Sequence, residues 1–159
     1  MVSLVVVGPP MSGKTHLCVR LAGLPSAQPG VYNDTRSIDY LKTDIDGRPW
    51  HIWDTPAYEQ SGWAGTEIID TADVIVVCHD GRRRSNPCDI IADMDANKCI
   101  IALTRTPVAG ANLSYMIQYF RTTTSYGTLL PVVNTYHSPA ALVSVIKSLA
   151  PPEDSGVHV

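Results

Sequence analysis

Short apolar runs alternate along the chain with more polar segments in which apolar residues recur at helical spacing. The apolar runs predict strands at residues 2–7, 38–45, 50–53, 74–78, 99–103 and 129–133. Helices are predicted at residues 16–24, 59–71, 86–97 and 113–122, and a last one follows Ser138 and Pro139. This alternation indicates an α/β fold, a three-layer domain whose mainly parallel sheet carries helices on both faces.

Two local signals refine this arrangement. Asp46-Gly47 between the second and third predicted strands is typical of a hairpin, so these two strands alone are expected to pair antiparallel. Pro151-Pro152 ends the last helix. A chain of 159 residues with 45% hydrophobic composition predicts one domain over residues 1–150 and a disordered tail over residues 151–159.

The strongest chemical signal lies between the first strand and the first helix. The residues there are Gly8-Pro9-Pro10-Met11-Ser12-Gly13-Lys14-Thr15, a complete phosphate-binding P-loop. Glycines allow the tight turn whose backbone N–H groups wrap a polyphosphate, the lysine supplies a positive charge, and the threonine hydroxyl can hold Mg²⁺. The helix start adds further N–H groups. The predicted phosphate contacts are Gly8, Pro10, Met11, Ser12, Gly13, Lys14, Thr15 and His16.

A second candidate ligand follows the third strand. Asp54 ends the apolar run Ile52-Trp53 and stands just before Thr55-Pro56. An aspartate at a strand end downstream of a P-loop is suited to hold Mg²⁺. The alternative is a carboxylate that caps the turn before Pro56.

Composition limits the classes of partner and the cellular compartment that we expect for the protein. The net charge of −3 argues against a nucleic-acid partner, and the chain has neither an apolar run long enough to cross a bilayer nor a C-terminal cysteine for a lipid anchor. Cys18, Cys78, Cys88 and Cys99 show no metal or disulfide spacing and indicate small buried residues in a reducing compartment. We therefore expect a soluble intracellular protein without a lipid anchor.

The order of these segments resembles the Ras-like small GTPases, and within them the Rab branch. The matching features are the P-loop, Thr35 before the hairpin, Asp46-Gly47, and Trp53-Asp54-Thr55. The resemblance implies that Thr35 closes on Mg²⁺ and the γ-phosphate, and that the loop after Asp54 is the second switch. It also implies GTP or GDP with Mg²⁺ as ligands and protein effectors or regulators as partners.

The chain departs from the family pattern at three places. Ala57 replaces the glycine whose N–H contacts the γ-phosphate, and Tyr58 replaces the glutamine that orients the attacking water. After the fifth strand, Thr104-Arg105-Thr106-Pro107 replaces Asn-Lys-x-Asp, so Pro107 cannot offer the carboxylate that binds guanine. These departures predict slow hydrolysis and weakened guanine selectivity.

Some base-binding features remain. The resemblance implies that Thr104 and the stem of Arg105 contact the base, and that a backbone N–H of the loop Thr135-Tyr136-His137 binds guanine O6. Lys14, Thr35 and Ala57 are then the expected catalytic positions. Besides a switch, a P-loop ATPase or kinase and a nucleotide-binding scaffold with little turnover stay open, and with them ATP as the ligand.

Overall fold

The computed structural model describes residues 1–23, 39–58, 66–80, 88–91, 94–105, 130–136 and 138–152, together with positions 114 and 118. Its strands are β1 (Val2–Val7), β2 (Asp39–Ile45), β3 (Arg48–Asp54), β4 (Val74–Asp80), β5 (Cys99–Thr104) and β6 (Val132–Asn134). Its helices are α1 (Lys14–Leu21), α2 (Thr66–Thr71), α3 (Cys88–Ile91) and α4 (Ala140–Leu149), and a 3₁₀ turn covers Ala96–Lys98. Apart from positions 114 and 118, the helix predicted at 113–122 lies outside the described residues, as does the tail from residue 153.

The strands form one sheet in the order β2-β3-β1-β4-β5-β6. Only β2 and β3 pair antiparallel, and the other neighbours are parallel. Asp46 and Gly47 both have positive φ, 53° and 78°, as a two-residue type I′ hairpin turn requires. The predicted mixed sheet with a single antiparallel pair is confirmed.

Alternate residues of β1 face two separate apolar cores. Leu4 and Val6 belong to a core that includes residues of α1 and α4, whereas Val5 and Val7 belong to a second core that includes residues of α2 and α3. Because successive strand side chains point to opposite faces, this division places helices on both sides of the sheet. It also explains why β1, β4 and β5 are almost continuously apolar.

The element boundaries differ from the predicted ones where polar residues take part in regular structure. β4 extends beyond its apolar run through His79 and Asp80, which pair with Leu103 and Thr104 of β5. Helix α1 begins at Lys14, before the predicted start, because Gly13 ends the preceding loop. The Gly13 carbonyl accepts the N–H of Leu17 at 3.0 Å. A prediction based on apolar residues alone leaves such polar positions outside the predicted strands and helices.

Helix α4 closes the first core at the end of the chain. Pro139 occupies the N-cap position, and Ser138 Oγ, one residue earlier, accepts the N–H of Ala140 at 3.1 Å. Leu142 and Ile146 are fully buried, and Val145 and Leu149 pack against the same core. In the part of the chain that the structure describes, no helix is long and apolar enough to cross a membrane.

The cysteines whose side chains are described serve as core residues. Cys18, Cys78 and Cys99 are buried free thiols. Burial raises the pKa of the Cys78 thiol and of the Cys99 thiol to about 12, so both stay protonated at neutral pH. These thiols therefore have the packing role expected from the sequence.

Candidate nucleotide-binding site

Among the described strands, β1, β3, β4, β5 and β6 run parallel, so their carboxyl ends lie at the same end of the sheet. β1 lies between β3 and β4, and the chain connections leave this centre toward opposite edges. A reversal of this kind opens a crevice beyond the carboxyl ends of the strands, where ligands bind in open α/β sheets. The segments that follow β1, β3, β5 and β6 meet at this crevice.

The two glycines of the loop after β1 are required for different reasons, one for space and one for its backbone conformation. A methyl group on Gly8 would lie 2.6 Å from Ser12 Oγ and 3.0 Å from the carbonyl oxygen of Cys78. Gly13 has a φ of +86°, a left-handed conformation that favours glycine. Met11 also adopts positive φ, 59°. The backbone is thus bent into a cradle, as expected for a P-loop.

Ser12 and Lys14 are buried inside this cradle. The Lys14 side chain donates from Nζ to the carbonyl oxygen of Pro9 at 3.2 Å, and the residue is only 7% exposed. Ser12 is fully buried, and its Oγ has no hydrogen-bond partner among the residues that the structure describes. Buried hydroxyls are normally paired. The loop therefore fits a ligand that brings oxygen acceptors, as a phosphate does.

Thr15 and Asp54 bring the P-loop and the end of β3 together. Thr15 Oγ1 donates to Asp54 Oδ2 at 2.6 Å, and Asp54 is 2% exposed. A hydroxyl and a carboxylate are hard oxygen ligands of the kind that Mg²⁺ accepts. Within the described ranges, no group of three or more His, Cys, Asp or Glu side chains could hold a metal. Phosphate and water would have to complete a Mg²⁺ shell here, as is usual for this ion.

The segment after β3 turns back against the P-loop. Thr55 Oγ1 donates to the carbonyl oxygen of Val6 at 2.7 Å, and the backbone N–H of Tyr58 donates to the carbonyl oxygen of Gly8 at 3.0 Å. Ala57 is half-buried between these two contacts. The ring of Tyr58 packs against the second apolar core. This segment and the phosphate cradle therefore form one hydrogen-bonded unit.

A pocket of about 330 Å³ opens beside the P-loop. It lies between α1 and the segments after β5 and β6, and its volume is in the range of small-molecule sites. It is lined by Gly13, His16, Leu17, Arg20, Thr104, Arg105, Thr135 and Tyr136. The four base-contact residues predicted from the sequence thus meet in one pocket, next to the phosphate cradle.

Hydrogen bonds join the segment after β5 to the P-loop. Thr104 Oγ1 lies 2.5 Å from the carbonyl oxygen of Ser12. Arg105 donates from Nη1 to the carbonyl oxygen of Met11 at 2.9 Å, with its own backbone at a φ of +58°. The position of the pocket wall relative to the phosphate cradle is thereby fixed.

The loop Thr135-Tyr136-His137 was expected to offer a backbone N–H to the base, and two of its three N–H groups already have partners within the protein. The N–H of Thr135 donates to the carbonyl oxygen of Leu103 at 2.9 Å, continuing the ladder between β5 and β6. The N–H of Tyr136 donates to Asn134 Oδ1 at 2.9 Å, because Asn134 closes a side-chain turn. The Asn134 turn is local and could have been inferred from residue type, whereas the ladder contact of Thr135 could not.

Sequence analysis missed Arg20 as a pocket residue. Arg20 donates from Nη1 to the carbonyl oxygen of Thr135 at 2.7 Å and so links α1 to the segment after β6. Its position one turn after His16 places both side chains on the same face of α1, a signal that helical spacing could have given. Burial lowers the pKa of the His16 ring, and the charges of Arg20 and Arg105 lower it further. His16 is therefore neutral at pH 7.

Three of the sequence-based inferences concern residues outside the described ranges. They are the switch role of Thr35, the missing carboxylate at Pro107 and the N–H of His137.

The cradle, the Thr15–Asp54 pair and the adjoining pocket together define a P-loop nucleotide-binding domain. The chain belongs to the 50S ribosome-binding GTPase family, whose model matches residues 3–105. A comparison with curated protein sequences found no significant match.

Solved GTPase structures share the fold. Era from Aquifex aeolicus bound to GDP·AlF₄⁻ superposes with a TM-score of 0.76 at 20% identity, over 96% of this chain and 57% of that one. Era in complex with MgGDPNP and a segment of 16S ribosomal RNA gives 0.72 at 19% identity, over 96% and 57%. The elongation factor SelB from Methanococcus maripaludis, bound to a GTP analogue, gives 0.70 at 15%, over 95% and 34%. The chain thus spans little more than half the length of Era.

Proposed function

We propose that the chain is a GTP-binding molecular switch with slow intrinsic hydrolysis and weakened guanine selectivity. The observation that carries the proposal is the 2.6 Å hydrogen bond between Thr15 and Asp54, because it joins the P-loop hydroxyl to the strand-end carboxylate. Family membership supports a guanine nucleotide as the ligand.

Each part of the site has a role in this proposal. The P-loop N–H groups and Lys14 hold the phosphates, whereas Thr15, Asp54 and Thr35 serve the Mg²⁺ ion. The N–H of Ala57 would contact the γ-phosphate. The base would lie in the pocket among Thr104, Arg105, Thr135 and Tyr136. Bound Mg²⁺ would neutralise phosphate charge.

The link between the cradle and the segment after β3 supports switching. The carbonyl oxygen of Gly8 accepts the N–H of Tyr58, so a change in the phosphate loop reaches the backbone next to Ala57 directly. In GTPases a γ-phosphate orders such segments and partners recognise the ordered surface. Protein effectors or regulators are therefore the proposed partners, as in the Rab branch that the sequence resembles.

Tyr58 is the residue from which we expect slow hydrolysis. Its side chain packs against the second apolar core, and a phenol is a poor replacement for the amide that orients water. We expect a rate at or below roughly 10⁻⁴ s⁻¹ for the isolated chain.

Single-turnover hydrolysis with Mg²⁺ and GTP or ATP tests the proposal. A slow rate with GTP bound supports the switch. A rate of about 1 s⁻¹ without a partner would contradict the switch and favour an ATPase or kinase function instead. Tight binding with undetectable turnover, and no difference in partner binding between GTP and GDP, would make the chain a scaffold.

RNA is a partner class that we do not expect for this chain, in contrast to Era. The Era structure contains 16S ribosomal RNA, and the family is described as ribosome-binding. The net charge of −3 argues against RNA binding by this chain. Titration with ribosomal RNA at low and high salt tests that expectation, and saturable binding with a steep salt dependence would contradict it.

A further inference from the structure

Strand β2 lies at one edge of the sheet and, among the described residues, pairs only with β3. The two-residue turn makes Ile45 and Arg48 a hydrogen-bonded pair, and such pairs alternate with non-hydrogen-bonded ones along an antiparallel ladder. Asp44 therefore faces Pro49 in a non-hydrogen-bonded pair, which suits a residue without an N–H. It follows that the backbone N–H and C=O groups of Lys42 and Asp44 point away from β3, toward the outer edge.

The side chains of β2 carry a charge pattern along this edge. Lys42 and Asp44 are exposed, and they lie on the same face of the strand. Within the part of the chain that the structure describes, neither forms an ion pair. The opposite face carries Leu41 and Ile45, which pack against the first apolar core. A positive charge two positions before a negative one is its own complement when a second copy of the strand lies antiparallel.

One register of such a strand pair satisfies both the backbone and the charges. A twofold axis through Thr43 places Lys42 of each copy opposite Asp44 of the other. Because the outward groups of both positions then face each other, each of these two pairs exchanges both N–H···O bonds. Leu41 of one copy faces Ile45 of the other, so apolar contacts continue across the edge beside the first core.

The same charges disfavour the neighbouring registers. The outward backbone groups meet again only when one strand slides by two residues. Such a shift places Lys42 opposite Lys42 or Asp44 opposite Asp44, and like charges directly opposite each other destabilise a strand pair. An exposed lysine on an edge strand protects it from pairing with unrelated strands. The aspartate two positions later makes an exception for a second copy of this chain.

We propose that the outer edge of β2 is a self-association surface, at which two copies of this chain pair antiparallel about Thr43 and join their sheets into one. The inference goes beyond the proposed function and does not depend on nucleotide binding. A single strand pair is a small interface, so we expect a dissociation constant of about 10–100 µM. Since the charged pairs are exposed to solvent, the dimer should weaken as salt is added.

Charge reversal at the two positions tests this register. Lys42→Asp places like charges at both cross-strand pairs, and so does Asp44→Lys. Each variant alone should raise the dissociation constant, measured by sedimentation equilibrium, by about tenfold or more. An equimolar mixture of the two variants restores opposite charges at both pairs, as does one chain that carries both substitutions. Both samples should regain the wild-type dissociation constant within about threefold.

Lys98→Asp and Asp70→Lys are the matched controls, because they change the net charge by the same amounts outside β2. Both should dimerise as the wild-type chain does, and thermal unfolding verifies that every variant folds. A wild-type chain that stays monomeric at about 500 µM would overturn the proposal. A dimer that the single variants leave unchanged would overturn it too, as would a mixture that stays monomeric, because Lys42 would then not face Asp44.

Discussion

The phosphate side and the base side of the site lie at the same sheet edge but differ in how they are built. On the phosphate side, Ser12, Lys14 and Asp54 are nearly inaccessible, and the backbone itself forms the cradle. On the base side, side chains of α1 and of the segments after β5 and β6 make the pocket. A backbone cradle tolerates few substitutions, because a methyl group on Gly8 already collides with Ser12 Oγ.

This difference in construction indicates that substitutions can change base specificity more easily than phosphate binding. Triphosphate binding depends on backbone geometry and one charge, which all nucleoside triphosphates use alike. Base recognition would depend on individual side chains such as that of Arg105, which also bonds the carbonyl oxygen of Met11 in the cradle. The phosphate side should therefore behave as in other P-loop proteins, whereas the base side should not.

The sharpest test of the phosphate side is Lys14→Ala. We expect triphosphate affinity to fall by about 100-fold or more, because the buried ammonium group of Lys14 supplies positive charge within the cradle. Titration of a fluorescent triphosphate measures the loss, with Lys98→Ala as the control for removal of a lysine elsewhere. Unchanged affinity in a folded Lys14→Ala variant would mean that the loop does not bind phosphate.

Gly8→Ala tests whether the cradle geometry itself matters. The added methyl group would meet Ser12 Oγ at 2.6 Å and the Cys78 carbonyl oxygen at 3.0 Å, an overpacking that costs about 2 kcal/mol. We expect triphosphate affinity to fall by about 30-fold, with a lower melting temperature.

Gly23→Ala is the matched control for that substitution. Gly23 has a φ of +71°, but no atom of the described residues lies within 4 Å of the point that an added methyl group would occupy. The variant should therefore lose about 1 kcal/mol of stability and no affinity. Equal affinity losses in Gly8→Ala and Gly23→Ala would show a general stability effect instead of a local one.

Thr15 tests the metal side of the cradle. Thr15→Ala removes the hydroxyl that bonds Asp54, and we expect the gain in triphosphate affinity on adding Mg²⁺ to shrink by about tenfold. Thr15→Ser keeps the hydroxyl and should preserve most of that gain. Titrations with Mg²⁺ and with EDTA give the two affinities. The same Mg²⁺ dependence in all three proteins would remove Thr15 from the metal site.

The phosphate side could be predicted from the sequence more completely than the base side, for a physical reason. The P-loop is contiguous, so residue types at fixed spacing specify its cradle, and the matching strand and helix were predicted within a few residues. The mixed sheet followed from apolar runs and the Asp46-Gly47 turn. Asp54 was found because a strand end can be read from the pattern. The structure adds its 2.6 Å contact with Thr15.

The base pocket was predicted less completely because it joins distant parts of the chain. Arg20 reaches Thr135 across 115 positions, and no local pattern encodes that contact. The N–H groups of Thr135 and Tyr136 were expected to be free for the base, yet Leu103 and Asn134 already accept them. The partner of Thr135 is set by tertiary packing, which residue types do not encode, whereas the Asn134 contact is a local turn that its residue type could have indicated.

The base side is tested last, by the smallest effect. Pro107 offers no carboxylate to guanine, but the donors of Arg105 still favour the oxygen at position 6 of guanine over the amino group of adenine. We expect GTP to bind about tenfold more tightly than ATP, the value of one charge-assisted hydrogen bond. Competition of the two triphosphates measures the ratio, and Arg105→Met should bring it toward one. Discrimination on the order of 10⁴, the level at which a buried polar site rejects a mismatched group, would contradict the comparison, because another residue would then read the base as strictly as the cradle reads phosphate.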